Sequence, residues 1–248
     1  MKNQMIVLTA LLAALTAQAA VINFTDSTEY PAGTDVADHE HWVLAGPASA
    51  YAGISSTANG VVIGSATASQ WDSVKYTGKT FNIEIGGKIS SSITFTFQQT
   101  GNNGWERLLG TGVRTGGSVQ KDLNGYLTRN GNGTGDGSNA LYSIGISQTD
   151  ESSSFTAADL GLKTGETSDT LKLTVEHTRK GADLWDTQIT LTNLNSTFSA
   201  TYNKTDLYFG GGDINTLNGA IYVGREDGNI NVSNRTISEF KVTPEPAR

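Results

Sequence analysis

Apolar and polar residues alternate with a period of two along most of this chain. Ile93, Phe95 and Phe97 fall on one side of an extended segment, and Thr94 and Thr96 fall on the other. Successive side chains of a strand point to opposite faces of its sheet, so this pattern is typical of strands with one buried face. Such strands fold by packing two apolar sheet faces together. We therefore predict an all-β protein, a sandwich of two antiparallel sheets with almost no helix.

The same pattern recurs in more than a dozen segments, separated by turns rich in Gly, Asn and Asp. The polar residues 180–183 join two of these segments, 170–179 and 185–191, and predict a β-hairpin. The other predicted strands are 21–24, 41–45, 60–63, 81–85, 105–113, 125–129, 141–147, 198–202, 207–209, 220–224 and 237–242. One helical turn is predicted at Thr156, with Asp159 completing a capping box before Gly161.

Composition excludes several classes of protein. The 24 acidic and 17 basic side chains give a formal net charge of −7, which does not suit binding to a nucleic-acid backbone. The chain has no cysteine, so disulfides, thiolate metal sites and cysteine nucleophiles are excluded.

The N-terminus has the pattern of a secretory signal peptide. Lys2 precedes an apolar run at 5–14, and Ala17 and Ala19 form an A-x-A cleavage site. The run is shorter than the roughly 20 residues of a spanning helix, and no later segment is apolar enough to cross a bilayer. We expect a signal peptide at 1–19, one domain at 20–242 and a tail at 243–248. The mature protein is then exported, to the extracellular space or the cell surface.

The tail resembles the start of a known sorting signal. Pro244-Glu245-Pro246 follows directly after a predicted strand, as in the PEP-CTERM signal of exported proteins of Gram-negative bacteria. The transmembrane helix and most of the basic cluster of that signal are absent here, so 243–248 matches a truncated or degenerate form. The alternative interpretation is a Pro-rich tail with polyproline II character and no function.

The end of the domain resembles another family. Residues 220–228 and 236–242 follow the layout that closes concanavalin A-like jelly rolls of the laminin-G type: a strand ending in glycine, a polar loop and a final strand. The resemblance implies that the final strand pairs with the first one, at 21–24. It also implies glycan or protein binding, the commonest use of that family.

Two groups of residues are candidate metal ligands. Asp136, and Asp213 with Asn215, lie in Gly- and Asn-rich loops whose oxygens suit Ca²⁺, although a flexible turn is favoured because neither loop holds enough carboxylates. A weaker alternative is a zinc site at His39 and His41, which share a face if the segment is extended. A solvated acidic loop is favoured over that zinc site.

Aromatic and planar polar side chains are the candidates for sugar binding, because the C–H faces of sugars stack on exposed rings. Trp42 and Trp185 have the parity of buried residues. The candidate ligand-binding residues, expected to be exposed, are Trp71, Trp105, Arg107, Tyr222 and Arg225.

Catalytic signatures are absent from the sequence. It contains neither the E-x-D-x-x-E strand that glycoside hydrolases on this fold share nor a G-x-S-x-G elbow, and no catalytic residue is assigned. The leading hypothesis is an exported non-catalytic β-sandwich that binds polysaccharide, extracellular matrix or cell-surface components, or has a surface-structural role. One alternative is a carbohydrate-active enzyme, a glycoside hydrolase or lyase, and another is a passive scaffold or adhesin without a small ligand.

Overall fold

A computed structural model describes residues 18–45, 53–64, 72–99, 106–116, 122–130, 141–146, 152–162, 165–209, 212–223 and 232–247. Within these ranges, the regular elements are β-strands and two single turns of 3-10 helix at Val36–Asp38 and Ala158–Leu160. In this part of the chain, no helix combines the length and apolar character needed to cross a membrane. The prediction of an all-β protein is confirmed.

The described strands, in chain order, are β1 (Ala20–Asn23), β2 (Trp42–Leu44), β3 (Ile54–Thr57), β4 (Gly60–Ile63), β5 (Asp72–Tyr76), β6 (Lys88–Gln99), β7 (Glu106–Gly116), β8 (Asp122–Asn130), β9 (Leu141–Ile146), β10 (Ser152–Thr156), β11 (Leu171–Arg179), β12 (Leu184–Asn193), β13 (Ser199–Tyr208), β14 (Asp213–Val223) and β15 (Val232–Glu245).

These strands form two antiparallel sheets. The eight-stranded sheet has the order β13-β12-β11-β6-β15-β4-β3, and β1 pairs with β15 beside this path. The seven-stranded sheet has the order β10-β9-β8-β7-β14-β5-β2. Ala20 pairs with Val242, so the expected pairing of the first strand with the last is confirmed.

The core lies between the two sheets and consists of the residues that alternation places on the inner faces. Leu171, Leu173 and Val175 of β11 are fully buried, as are Ile189 and Leu191 of β12. Burial of such side chains contributes about 25 cal/mol per Å² of apolar surface and is the main stabilising term of a fold without disulfides. The expectation that Trp42 and Trp185 belong to the core is confirmed, at 2% and 0% exposure.

Local signals account for the turn between β10 and β11. The backbone N–H and the hydroxyl of Thr156 both donate to Asp159 Oδ2, each at 2.8 Å. Gly161 then ends the 3-10 turn in the left-handed region at φ 67°, where glycine has no steric cost. Thr156 and Asp159 are thus hydrogen-bonded, but the predicted capping box is wrong in part, because the N-cap is Ala157 and it makes no side-chain capping bond.

Several predicted strand limits are wrong. Residues 81–85 form no strand, because the chain turns at Gly86 (φ 89°) and only Phe81 makes a bridge, to Leu217. Segments 198–202 and 207–209 join into β13 across a bulge, where Asp206 has a φ of 57°. Strands β3, β5 and β10 were not predicted, because they carry too few apolar residues to show an alternating pattern. Strand β15 runs beyond residue 242 to Glu245, which pairs with Lys88.

Candidate functional site

Two of the predicted ligand-binding residues lie on one face of the molecule. Arg107 in β7 and Tyr222 in β14 both lie on the outer face of the seven-stranded sheet, on adjacent strands. Trp71, Trp105 and Arg225 lie outside the described residues. The register of Val223 with both Asp72 and Leu109 brings the start of β5, the end of β14 and the start of β7 to one end of this sheet. The described strand ends nearest these three residues in the chain are therefore neighbours in space.

A β-bulge determines where Arg107 points. Arg107 pairs with Thr128 and Leu109 pairs with Leu127, so Leu108 is an extra residue in β7. In an unbroken strand, Arg107 would share the inner face with Leu109. The bulge moves the guanidinium to the outer face, and bulges commonly redirect side chains in this way next to functional sites.

Arg107 is stacked on Tyr126 of β8. The guanidinium carbon lies 4.1 Å from the centroid of the Tyr126 ring, which is the geometry of a cation–π interaction. The Tyr126 ring lies flat over Gly145 of β9, where an added Cβ would come within 2.6 Å of it. A glycine at this position is therefore required for the ring to lie on the sheet and support the guanidinium.

Tyr222 faces the same surface from the other side of β7. Gly110 pairs with Tyr222 on one side and with Tyr126 on the other, so a residue without a side chain separates the two tyrosines. The expectation that Tyr222 is exposed is wrong: it is 3% exposed, and its outer-face neighbours Tyr126 and Asn124 are buried as well.

The hydroxyls of Tyr222 and of Thr128, which lie on the same face, are both buried, and neither has a hydrogen-bond partner among the described residues. Burial raises the pKa of Tyr222 well above its ordinary value, and the charge of Asp122 raises it further. The charge of Arg114 and the Asn124 side chain oppose that rise. The phenol is therefore neutral, with a proton available for donation.

A second arginine, Arg114, links neighbouring strands of this sheet. Arg114 Nε lies 2.6 Å from Asp122 Oδ1, and Arg114 Nη1 donates to Ser73 Oγ at 2.6 Å and to the Ala45 carbonyl. Burial and the charge of Arg114 lower the pKa of the half-buried Lys75. Arg114 thus cross-links β5, β7 and β8 and is a structural residue.

We name this surface the arginine–tyrosine face; it consists of Arg107, Arg114, Asp122, Asn124, Tyr126, Thr128 and Tyr222. Sequence reasoning identified only Arg107 and Tyr222 of these. A signal for two more was present, because Asn124 and Tyr126 alternate with the buried Leu123 and Leu127. The bulge at Leu108 has no comparable signal in the sequence.

Of the predicted calcium ligands, the structure describes Asp213 and Asn215. Asp136 lies outside the described residues. Asp213 Oδ1 accepts the Asn215 N–H at 3.0 Å, and Oδ2 accepts the Thr216 hydroxyl at 2.8 Å. These hydrogen bonds lower the pKa of Asp213, and the bond from Thr216 has the largest effect. Both carboxylate oxygens of Asp213 thus stabilise a turn, and Asn215 takes part through its backbone.

The two histidines of the zinc alternative lie close together but have other contacts. Their ring centroids are 5.9 Å apart. The His39 ring stacks on Tyr30 at 4.8 Å, and His41 Nε2 lies 3.1 Å from Glu40 Oε1. Over the described ranges, no three His, Cys, Asp or Glu side chains form a group suited to a metal ion.

No protein-family model matches the sequence, and no curated protein matches it. Solved structures do match the fold. Lectin II from Ulex europaeus has a TM-score of 0.55 at 8% identity, over 93% of this chain and 99% of its own. The winged bean acidic lectin, solved with methyl-α-D-galactose, scores 0.52 at 10% identity over 92% and 99% of the two chains.

Arcelin-5, a lectin-like defence protein from Phaseolus vulgaris, scores 0.51 at 8% identity over 92% of this chain and 99% of its own. At these identities the likeness shows the fold alone. It confirms that the chain has the concanavalin A-like jelly-roll fold.

Proposed function

We propose that this protein is an exported, non-catalytic β-sandwich that binds glycans of a polysaccharide, the extracellular matrix or a cell surface through the arginine–tyrosine face. The fold, shared with lectins, supports a carbohydrate ligand. The signal-peptide pattern at 1–19 and the PEP-CTERM-like Pro244-Glu245-Pro246 support export from a Gram-negative cell.

The observation that carries the proposal is the pair of unsatisfied hydroxyls beside a stacked arginine. Tyr222 and Thr128 each present a buried hydroxyl without a hydrogen bond, on the face where Arg107 lies over Tyr126. A buried polar group without a partner costs about 1–3 kcal/mol. A polyhydroxylated ligand has both the donors and the acceptors that remove this cost, and reaching these buried hydroxyls requires side chains to rearrange on binding.

Each residue has a distinct role in this proposal. Arg107 is half-buried and donates from its planar guanidinium to ligand hydroxyl or carboxylate oxygens. Tyr126 positions that guanidinium, and Tyr222 donates from its neutral phenol. Arg114 and Asp122 hold the strands in place and do not contact the ligand.

The arrangement of carboxylates supports binding without hydrolysis. Glycoside hydrolysis needs two carboxyl groups about 5–9.5 Å apart. Among the described side chains of this face the one carboxylate is Asp122, which is engaged by Arg114 at 2.6 Å. A general acid or nucleophile has to be free to react with the substrate.

The test is a glycan array probed with the mature protein and with Arg107→Gln and Tyr222→Phe variants. Tyr208→Phe is the matched control, because Tyr208 lies on the other sheet and is 68% exposed. We expect binding to fall at least about tenfold in the first two variants, the equivalent of about 1.4 kcal/mol, and to be unchanged in the control. Absence of any glycan signal, or release of reducing ends from a bound glycan, would contradict the proposal.

A further inference from the structure

A second surface, on the opposite sheet, has the form of a binding groove. It is about 600 Å³ in volume and lies on the outer face of the eight-stranded sheet, where β6, β15 and β4 adjoin. Ligand sites of proteins commonly have volumes of about 300–1,000 Å³. This groove goes beyond the function proposed above, because it shares no residue with the arginine–tyrosine face.

The floor of the groove is a row of neighbouring outer-face residues. Thr236 of β15 pairs with Val62 of β4 on one side and with Thr96 of β6 on the other. Their neighbours along the chain, such as Ile237 and Phe95, are buried on the inner face. Because side chains alternate along a strand, these three therefore lie on the outer face. The floor thus offers the Thr96 hydroxyl and the lone pairs of the Thr236 hydroxyl, which itself donates to the Asn234 carbonyl at 3.0 Å, with the apolar Val62 beside them.

One wall follows segment 165–170, which is fixed to the sheet through Gln98. Gln98 Nε2 donates to the Gly165 carbonyl at 2.6 Å, and Asn234 Nδ2 donates to Gln98 Oε1 at 2.9 Å. Ser168 N–H donates to the Phe97 carbonyl at 2.8 Å. The wall is therefore held by backbone and side-chain bonds to β6 on both sides of Gln98.

The other wall is the turn between β3 and β4. The Thr57 hydroxyl donates to the Gly60 carbonyl at 2.7 Å and accepts the Asn59 N–H at 3.2 Å. These bonds fix the turn internally and leave the Asn59 amide at the groove. The groove is thus bounded on both sides by ordered backbone.

Strand β15 is distorted where it crosses the groove. Two bulges, between Ser233 and Thr236 and between Ile237 and Glu239, flank Thr236. Asn234 has a φ of 51°, a left-handed conformation that asparagine tolerates better than most residues. Paired bulges twist a strand away from its neighbours, which opens the outer face at this point.

The chemistry of the lining indicates the class of ligand. Of the ten described residues that line the groove, six carry hydroxyls, two carry amides and two, Val62 and the inward-facing Phe95, are apolar; none of the ten is ionisable. Hydroxyls and amides both donate and accept hydrogen bonds, as sugar hydroxyls do. A charged ligand would lose hydration here without gaining a counter-charge.

We propose that this groove binds an uncharged oligosaccharide, as a second glycan site on the face opposite the first. Two sites on opposite sheets of one domain allow it to join two glycan chains. The gain in avidity then depends on whether both chains can be reached at once.

The test measures binding of cellohexaose, laminarihexaose, maltohexaose and chitohexaose by calorimetry, with the methyl signal of Thr236 as a local reporter. The variants are Thr96→Glu, which places a carboxylate on the floor, and Thr236→Val, which keeps the shape and removes a hydroxyl. Thr190→Glu is the matched control, since Thr190 lies on the outer face of the same sheet and bonds to Thr201 at 3.2 Å. Thermal midpoints show whether each variant is folded.

We expect at least one of these neutral hexasaccharides to bind and to shift the Thr236 methyl signal. Thr96→Glu is expected to weaken binding at least about tenfold and Thr236→Val several-fold, with Thr190→Glu unchanged. Loss of this binding in Arg107→Gln, with full binding in Thr96→Glu, overturns the second site and leaves the proposed function standing. Failure of all four probes to bind a folded parent also overturns the second site, while the glycan array separately decides the proposed function.

Discussion

The guanidinium carbon of Arg107 lies 4.1 Å from the centroid of the Tyr126 ring. The two residues are on neighbouring strands, and a bulge in β7 after Arg107 brings them to the same face. Tyr126 can lie flat only because Gly145 has no side chain beneath it. The position of the arginine therefore depends on three strands at once: β7, β8 and β9.

The Arg107–Tyr126 contact is expected to be measurable as a coupling energy. A double-mutant cycle with Arg107→Gln and Tyr126→Leu should give about 0.5–1 kcal/mol of coupling in the free energy of unfolding, the usual range for partly exposed cation–π pairs. Urea denaturation of the four proteins measures it. Strictly additive effects would show that the stacking does not stabilise the fold.

The buried imidazole of His177 is expected to make stability depend on pH. His177 is fully buried between the sheets, and its Nδ1 lies 2.8 Å from Thr187 Oγ1. Burial lowers the pKa of His177 to about 3, whereas an unfolded histidine titrates near 6.5. Its contribution to stability is complete above pH ~6.5 and is lost as the pH falls toward 3, because the unfolded chain binds the proton first.

The measurement for His177 is the slope of unfolding free energy against pH. Between about pH 6 and 4 the slope of the parent should exceed that of His177→Gln by up to about 1.4 kcal/mol per pH unit. Carboxylates contribute equally to both proteins, so the difference isolates the imidazole. Equal slopes would mean that His177 takes up its proton in the folded state.

Close contact between the two sheets is expected to make Gly125 intolerant of a side chain. A Cβ at Gly125 would lie 2.6 Å from Ile189 Cδ1 and 2.7 Å from Val175 Cγ2. We expect Gly125→Ala to destabilise the protein by about 1–3 kcal/mol through overpacking. Adding Ile189→Val, which removes Cδ1, should recover part of that loss.

Thermal and urea unfolding of the two single variants and the double variant test this prediction. Gly181→Ala is the control, since a Cβ there meets only Leu184 Cβ at 3.6 Å, and it should change stability by less than about 0.5 kcal/mol. A double variant as unstable as the sum of its parts would refute the contact with Ile189.

Asp213 is expected to act as a turn residue without calcium. Both of its carboxylate oxygens accept hydrogen bonds, from Asn215 and Thr216. Excess calcium should therefore change the thermal midpoints of the parent and of Asp213→Asn by the same amount. A calcium-dependent rise that Asp213→Asn abolishes would instead establish Asp213 as a ligand.

Alternation was enough to predict the architecture of the core. The buried stripes of β6, β11 and β12 are visible in sequence, since apolar residues alternate with polar ones along 93–97, 171–175 and 189–191. Strands such as β3 (ISST) have no such contrast: β3 is an edge strand, and its ladder is the short hairpin with β4.

The binding surfaces were predicted less completely. The outer position of Arg107 depends on the bulge at Leu108, and Tyr222 is buried although it lies on the outer face of its sheet. The groove floor joins Val62, Thr96 and Thr236 through register alone. Bulges and register are set by long-range pairing, which a single sequence does not display.

The place of β15 also bears on how the chain is made. β15 contributes the last described strand, yet it lies inside the eight-stranded sheet, between β6 on one side and β1 and β4 on the other. While the chain emerges from the ribosome, these three earlier strands have no central partner, so the sheet closes only after residues 232–245 are synthesised. Such distant pairing slows folding, because loop-closure entropy is lost before contacts compensate for it. Until β15 is in place, the edges of β1, β4 and β6 that it covers remain unpaired and open to pairing with other chains.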